Sequence, residues 1–306
     1  MQVIWNPDDR EMWDAAHAQA GAALQQDWAY GACMKAMGVT VLRAQVVHNA
    51  TTVGLAQFIV RKWLGVLSLA LCGRGPIWLT ELSASEKAQA YAAIKRTLPL
   101  KGLRLLLLSP EEALSPSLGL SAWRRVMTGY STVMLDLSLP TDALREQLEA
   151  RWRSNLNSAE QSELTIHRVG TNPGQYRWLL DADLKQREER NLEGLPVPFF
   201  DLYAKARQVP AKTILTMRAD LGRERVAGML FLIHGESATY QVGWTNDQGR
   251  DLHAHHLVLW HAIEELKSRG VRILDLGGVN TQRSAGVARF KIRTGGRVVT
   301  FAGTYI

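Results

Sequence analysis

The final stretch of the chain gathers residues suited to a carbonyl under attack: Asp275, Gly277 and Gly278, then Gly286, Arg289, Lys291, Gly295 and Gly296. An ammonium group beside such a carbonyl stabilises the oxyanion that develops in the transition state, and losing a donor of this kind costs about 3 kcal/mol. The glycines around Lys291 permit close backbone approach, which makes Lys291 the first catalytic candidate. The plainer alternative is an ordinary lysine on an edge strand. Asp275 is expected to end a buried strand, where α/β sheets open onto ligand crevices. It is the second catalytic candidate, placed to accept an amine's proton or to orient Arg289. Capping the Gly277–Gly278 turn is an equal alternative. Nearer the start, Arg74 precedes Gly75-Pro76 and offers a guanidinium to an anion, or stays solvated in a turn. Trp28 and Tyr30 either shape an acceptor groove or pack against the first sheet.

Other chemistries find less support. His253, His255 and His256 cluster, but no carboxylate or Cys at a suitable spacing completes a metal site, so no metal is expected. Neither Ser nor Cys sits in a nucleophile-elbow context, which argues against a covalent acyl-enzyme. Cys33 and Cys72 are the two cysteines, and free thiols in a reducing compartment are expected.

Those candidates need elements to hold them. A capping box at Ser83–Glu86 predicts a helix to about Thr97, because the two side chains satisfy each other's orphan backbone donors. Leu103 to Leu108 is a short apolar run between Gly102 and Pro110, the pattern of a buried strand. A helix opening at Pro140-Thr141 carries Leu144, Leu148, Trp152, Leu156 and Ala159 at three- and four-residue spacing. Strand, hairpin, helix and strand then recur: Gly54 in Val53–Phe58 aligns without a gap on Gly228 in Arg225–Phe231. The fold class predicted is α/β with mixed sheets, in two tandem lobes, 1–139 and 164–306, joined by a bridging helix over 140–163.

The chain of 306 residues has a formal charge of +7, which favours anionic partners. A non-catalytic nucleic-acid-binding module is therefore a competing reading, though no groove-reading motif accompanies the charge. No signal peptide is evident and no apolar stretch is long enough for a membrane span. The expected location is the cytoplasm, with peripheral contact at the inner membrane face also open.

Several segments resemble the FemABX relatives of the GNAT acyltransferase fold. They are Gln26-Asp27-Trp28-Ala29-Tyr30-Gly31 with Lys35, Val53–Gln57, Arg74-Gly75-Pro76, Trp152–Leu156 with Ala159-Glu160, Asp275–Val279, Gly286–Lys291 and Gly295-Gly296. The resemblance implies direct transfer of an aminoacyl group from a charged tRNA to an amine of a phosphorylated cell-envelope precursor, with no bound cofactor. By the same resemblance Lys35 would hold precursor phosphates, Lys291 would lie near the reacting carbonyl, and Arg187 or Arg190 would be a second phosphate-holding arginine. A wider circle of relatives leaves open acyl-CoA or acyl carrier protein as donor, with an amino sugar, amino acid or sphingoid amine as acceptor. Two departures matter. There is no coiled-coil insertion, and the segment Asn246–His253 lacks a compact glycine-rich phosphate loop, which makes CoA binding by the usual route doubtful.

Overall fold

The computed structural model describes residues 1–306 apart from 64, 65, 192, 208 and 281–283, and apart from the side chain of Arg190. It divides into two compact units, Met1–Ser131 with Val299–Ile306, and Thr132–Val298.

In the first unit β1 (Gln2–Trp5), α1 (Arg10–Gln19), α2 (Trp28–Ala36), β2 (Thr40–His48), β3 (Thr51–Trp63), β4 (Leu67–Gly73), β5 (Ile77–Trp78), α3 (Ala84–Thr97), β6 (Leu103–Ser109) and β7 (Arg125–Met127) follow in order. The predicted capping box is formed: Glu86 N–H donates to Ser83 Oγ at 3.3 Å, and Ser83 N–H to Glu86 Oε2 at 2.8 Å. The core packs α3 residues Ala90, Tyr91 and Ile94 against Phe58, Ala70, Leu106 and Leu108 of the sheet.

The chain continues through β8 (Ser131–Asp136), α4 (Thr141–Gln147), α5 (Ala150–Glu160), β9 (Leu164–Val169), α6 (Pro173–Arg190), α7 (Val197–Ala204), β10 (Ile214–Leu221), β11 (Glu224–His234) and β12 (Ser237–Thr245). It ends with α8 (Asp247–Asp251), α9 (Ala254–Ser268), β13 (Ile273–Gly278), α10 (Ala285–Ile292), β14 (Arg297–Thr300) and β15 (Thr304–Tyr305).

One sheet has the order β1-β2-β3-β4-β6-β15-β7, with β5 also on β3, and the other β9-β10-β11-β12-β13-β8-β14. The two orders correspond strand for strand. The parallel pairs β4·β6 and β12·β13 are each followed by a strand from the other half of the sequence, β15 and β8 respectively. The glycine alignment holds as geometry: a Cβ on Gly54 would meet the Trp78 ring at 2.7 Å, and one on Gly228 the Trp178 ring at 2.7 Å. In both sheets an indole lies over the third strand where only hydrogen leaves room.

Three expectations are corrected. The stripe Leu144, Leu148, Trp152, Leu156 and Ala159 is buried, but it runs over two helices of the second unit with Leu148 in the break between them, not on one bridging helix over 140–163. The break at Leu148–Glu149 is set by tertiary contacts. Glu149 N–H donates to Arg293 O at 3.0 Å, its carboxylate pairs with Arg293 at 2.7 Å, and Gly295 lies so close that a Cβ would meet Gln147 O at 2.2 Å. The boundaries 1–139 and 164–306 also shift, because Val299–Ile306 returns to the first unit, where β15 is hydrogen-bonded between β6 and β7. Finally, the Leu103–Leu108 run forms a strand that leaves Leu103 and Leu105 exposed.

Candidate active site

The second sheet opens where the first is closed. The parallel register of β12 with β13 runs over Ser237–Thr239 and Ile273–Asp275 and, among the described residues, no further, while β12 continues to Thr245 and β13 to Gly278. On the other side of β12, Leu230 pairs with Val242 and Phe231 with Tyr240, which leaves Gln241 as the extra residue of a β-bulge. Such a bulge takes a residue out of the ladder and re-aims its neighbours.

Lys291 enters this region from α10, and the edge-strand alternative is thereby set aside. Ala288 and Lys291, one helical turn apart, are the buried residues of α10, while Phe290 packs at a tilt against Trp152 and edge to face with His256. The Lys291 side chain is only 7% exposed, donates to Gly278 O at 3.0 Å, and holds its Nζ 5.4 Å from the centre of the Tyr240 ring. Burial lowers its pKa to about 8, partly offset by the nearby Asp275 carboxylate. The lysine is therefore still mostly cationic at neutral pH and close to its titration midpoint.

Asp275 lies inside β13, paired with Met134 and Thr239, and so does not end the strand as expected. It is buried, accepts from the Thr132 hydroxyl, and accepts from the Gly277 N–H at 2.8 Å. The capping alternative thus holds together with proximity to Lys291. Gly277 has φ +72°, which suits glycine and turns the strand so that the Gly278 carbonyl meets Lys291. Gly295 and Gly296 serve the chain's own packing: a Cβ on Gly296 would strike Val133 at 2.7 Å. Arg289 is exposed on α10, beside a hollow of about 400 Å³ that Ala288 and Arg293 help to line.

The remaining candidates lie elsewhere. Arg187 is paired with Asp183 at 2.7 Å, and burial raises the pKa of that carboxyl. The Arg190 side chain falls outside the described residues. In the first unit Lys35 is exposed on α2, while Trp28 stacks beneath the Arg43 guanidinium at 3.6 Å and meets Trp13 edge to face. Burial raises the Tyr30 hydroxyl. Arg74 pairs with Glu111 at 2.5 Å and lies over the Phe301 ring, so it is not a simply solvated turn arginine.

The histidines pack. His255 Nε2 donates to Trp244 O at 3.0 Å, and burial lowers both His255 and His256 to about 4, so both rings are neutral at physiological pH. The segment after β12 is a helical turn: Gly249 N–H goes to the Asn246 side chain at 2.8 Å, Arg250 N–H to Asn246 O and His253 N–H to Arg250 O. Those three donors are not available to a pyrophosphate.

Thr132 and Tyr240 were missed by sequence reasoning. Tyr240 had one signal, Gly243, whose absent side chain makes room for the phenol: a Cβ there would meet the hydroxyl at 1.7 Å. Thr132 had none, since its neighbour Asp275 lies far away in sequence.

Residues 144–291 match the model of the acetyltransferase (GNAT) domain. That span has the GNAT acyltransferase fold. It contains Asp275 and ends at Lys291. The fold is similar to the crystal structure of FemX, with a TM-score of 0.81 at 13% identity over 100% of this chain and 96% of that one. A tandem GNAT protein from the clavulanic acid biosynthesis pathway gives 0.57 at 12% identity, over 99% of this chain and 98% of that one. The C-terminal domain of a putative lysylphosphatidylglycerol synthetase from Agrobacterium fabrum gives 0.54 at 12% identity, over 97% of this chain and 92% of that one. At these identities the likeness is one of fold. No curated protein sequence matches the chain. The tandem GNAT architecture and the acyltransferase class expected from the sequence both stand, and a non-catalytic module does not. Among the described residues no helix is long and apolar enough to cross a membrane.

Proposed function

We propose that this GNAT protein transfers an acyl or aminoacyl group directly onto an amine, with the Lys291 ammonium stabilising the oxyanion. The single observation behind this reading is the buried Lys291 Nζ, 3.0 Å from Gly278 O at the mouth of the gap between β12 and β13. An ammonium has three N–H donors, and Gly278 O takes one, leaving others for a carbonyl oxygen. Asp275 keeps the lysine charged through its field and is itself held by Thr132 and Gly277. The acceptor nitrogen forms the new C–N bond, the donor's C–O or C–S bond breaks, and the proton lost by the amine goes to the leaving group. No covalent intermediate on the enzyme is needed.

An aminoacyl-tRNA donor is supported by the FemX-like fold and by the turn at Asn246–His253, where the Gly249, Arg250 and His253 N–H groups are already bonded within the chain. The reading with acyl-CoA or acyl carrier protein, and an amino sugar, amino acid or sphingoid amine as acceptor, is favoured instead by the GNAT domain match. For a phosphorylated envelope precursor, exposed Lys35 is the better phosphate ligand, since Arg187 already has Asp183. The cytoplasm, with access to the inner membrane face, is the site of action that fits such a precursor.

The test is mass spectrometry of candidate amines incubated with charged tRNA, acyl-CoA or acyl carrier protein. Product is expected with one donor class and is expected to fall about a hundredfold in Lys291→Ala. A correctly folded variant retaining wild-type turnover removes Lys291 from the mechanism.

A further inference from the structure

In the first unit, β3, β4 and β6 turn one face of the sheet outward, and that face is mostly apolar, with Arg61 among its side chains. Residues two apart share a face, and the registers align Trp63 with Leu67 and Leu103, then Arg61 with Leu69 and Leu105. Trp63 is 61% exposed, Leu103 69% and, just beyond β3, Val66 64%. Isolated exposed leucines need no explanation, but a contiguous row of this kind marks a contact surface.

The charges around it have one sign. Residues 51–73 and 98–109, which contain these strands, carry Arg61, Lys62, Lys101 and Arg104 and no Asp or Glu. All four cations are exposed: Arg61 shares the face of Trp63, Lys101 lies just before β6, and Lys62 and Arg104, both in register with Ser68, belong to the opposite face at the same end of the sheet. A two-fold dimer through this face would set Arg61 and Lys101 against their own copies, which argues against a second chain as occupant. An apolar row with an exposed indole, flanked by Arg61 and Lys101, matches instead the water–lipid boundary of an anionic bilayer, where indoles settle at headgroup depth and each cation gains from the surface potential.

We propose that this face docks the protein on the surface of an anionic phospholipid bilayer. The surface is formed by the first unit, apart from the Lys291 machinery, so the proposal is independent of the transfer chemistry.

Co-sedimentation with vesicles tests it. The full chain should bind vesicles of phosphatidylglycerol and phosphatidylcholine in equal parts, should ignore phosphatidylcholine alone, and should release as salt rises. Arg61→Glu with Lys101→Glu should weaken binding by at least about tenfold, and Trp63→Ser with Leu103→Ser should abolish it. The melting temperatures of both variants verify that they fold. Brominated lipid should quench tryptophan fluorescence in the wild type and measurably less in Trp63→Phe, a milder variant that replaces the indole by a smaller aromatic ring. Absence of binding to the mixed vesicles overturns the proposal. So does unchanged binding by both folded double variants, or a wild-type dimer that Leu103→Ser converts to monomer without affecting vesicles.

Discussion

Each unit buries one lysine to the same degree, and the two lysines are handled in opposite ways. Lys87 and Lys291 are both 7% exposed, and each ammonium lies near an aromatic ring, Trp78 at 6.0 Å and Tyr240 at 5.4 Å. Lys87 has a carboxylate directly on it, Glu112 at 2.6 Å, whereas Lys291 donates to a neutral carbonyl and senses Asp275 only through space. The surrounding sheets differ in the same sense. In the first unit β4 and β6 are paired throughout, Leu67–Gly73 against Leu103–Ser109, and the Gln26 amide bridges β3 and β4 by accepting from Gln57 N–H and donating to Gly73 O, both at 2.8 Å. The second unit leaves β12 and β13 apart beyond Asp275. A duplicated architecture has thus kept one copy closed and neutralised, and left the other open with an under-compensated cation. A buried charge short of full compensation is costly to a fold and useful to a reaction.

The strongest way to break this comparison is to exchange the two lysines' fates. Lys291→Ala should lower turnover about a hundredfold, while Lys87→Met should leave turnover within a few-fold, both read as initial rates on the product identified by mass spectrometry. The pH profile sharpens the role. A rate that depends on the Lys291 cation declines as pH rises through about 8, whereas a rate that rises through that pH would mean the neutral amine acts as a base.

Next in size is Glu112→Gln, which leaves Lys87 buried beside an uncharged amide. Because Glu112 is itself 34% exposed, the loss should be about 2 kcal/mol in a denaturant melt, below that of a fully buried pair. Gly243→Ala and Gly54→Ala should each cost about 1–2 kcal/mol by overpacking. Only Gly243→Ala, which displaces the Tyr240 hydroxyl, should also reduce turnover.

The smallest effect has the opposite sign. Lys291 has a folded pKa of about 8 against an ordinary 10.5, so the unfolded chain binds the proton more tightly. Its burial therefore destabilises the fold fully below pH 8, and that cost is relieved as pH rises toward 10.5. Lys291→Met should be more stable than wild type at neutral pH, by about 1 kcal/mol once the orphaned Gly278 carbonyl is discounted. The advantage should shrink in melts taken between pH 8 and 10.5.

Much of the architecture was legible in the residues. The Ser83 capping box, the β2–β3 hairpin and the gapless match of Gly54 to Gly228 are local signals, and local signals survive folding because they depend on neighbours in sequence. The helix break at Leu148–Glu149 was not legible, because an apolar stripe continues through it and the contacts that cause it come from Arg293 and Gly295. The site divided in the same way. Lys291 and Asp275 stood out by residue type within a glycine-rich tail, while Thr132 and Tyr240 did not, since a Thr ahead of one strand and a Tyr within another are ordinary until the sheet places them.

Sequence alone determined the duplication, the helix and strand periods of most elements, and the presence of a cation and a carboxylate in the last stretch of the second copy. Tertiary structure decided which lysine is neutralised, where the second sheet parts, and that β8 and β15 each complete the other copy's sheet. The physical reason is range. Propensity and patterning act over a few residues, whereas a pKa, a strand register and an open gap depend on groups far apart in sequence, such as Thr132 and Asp275, that only the folded chain brings together.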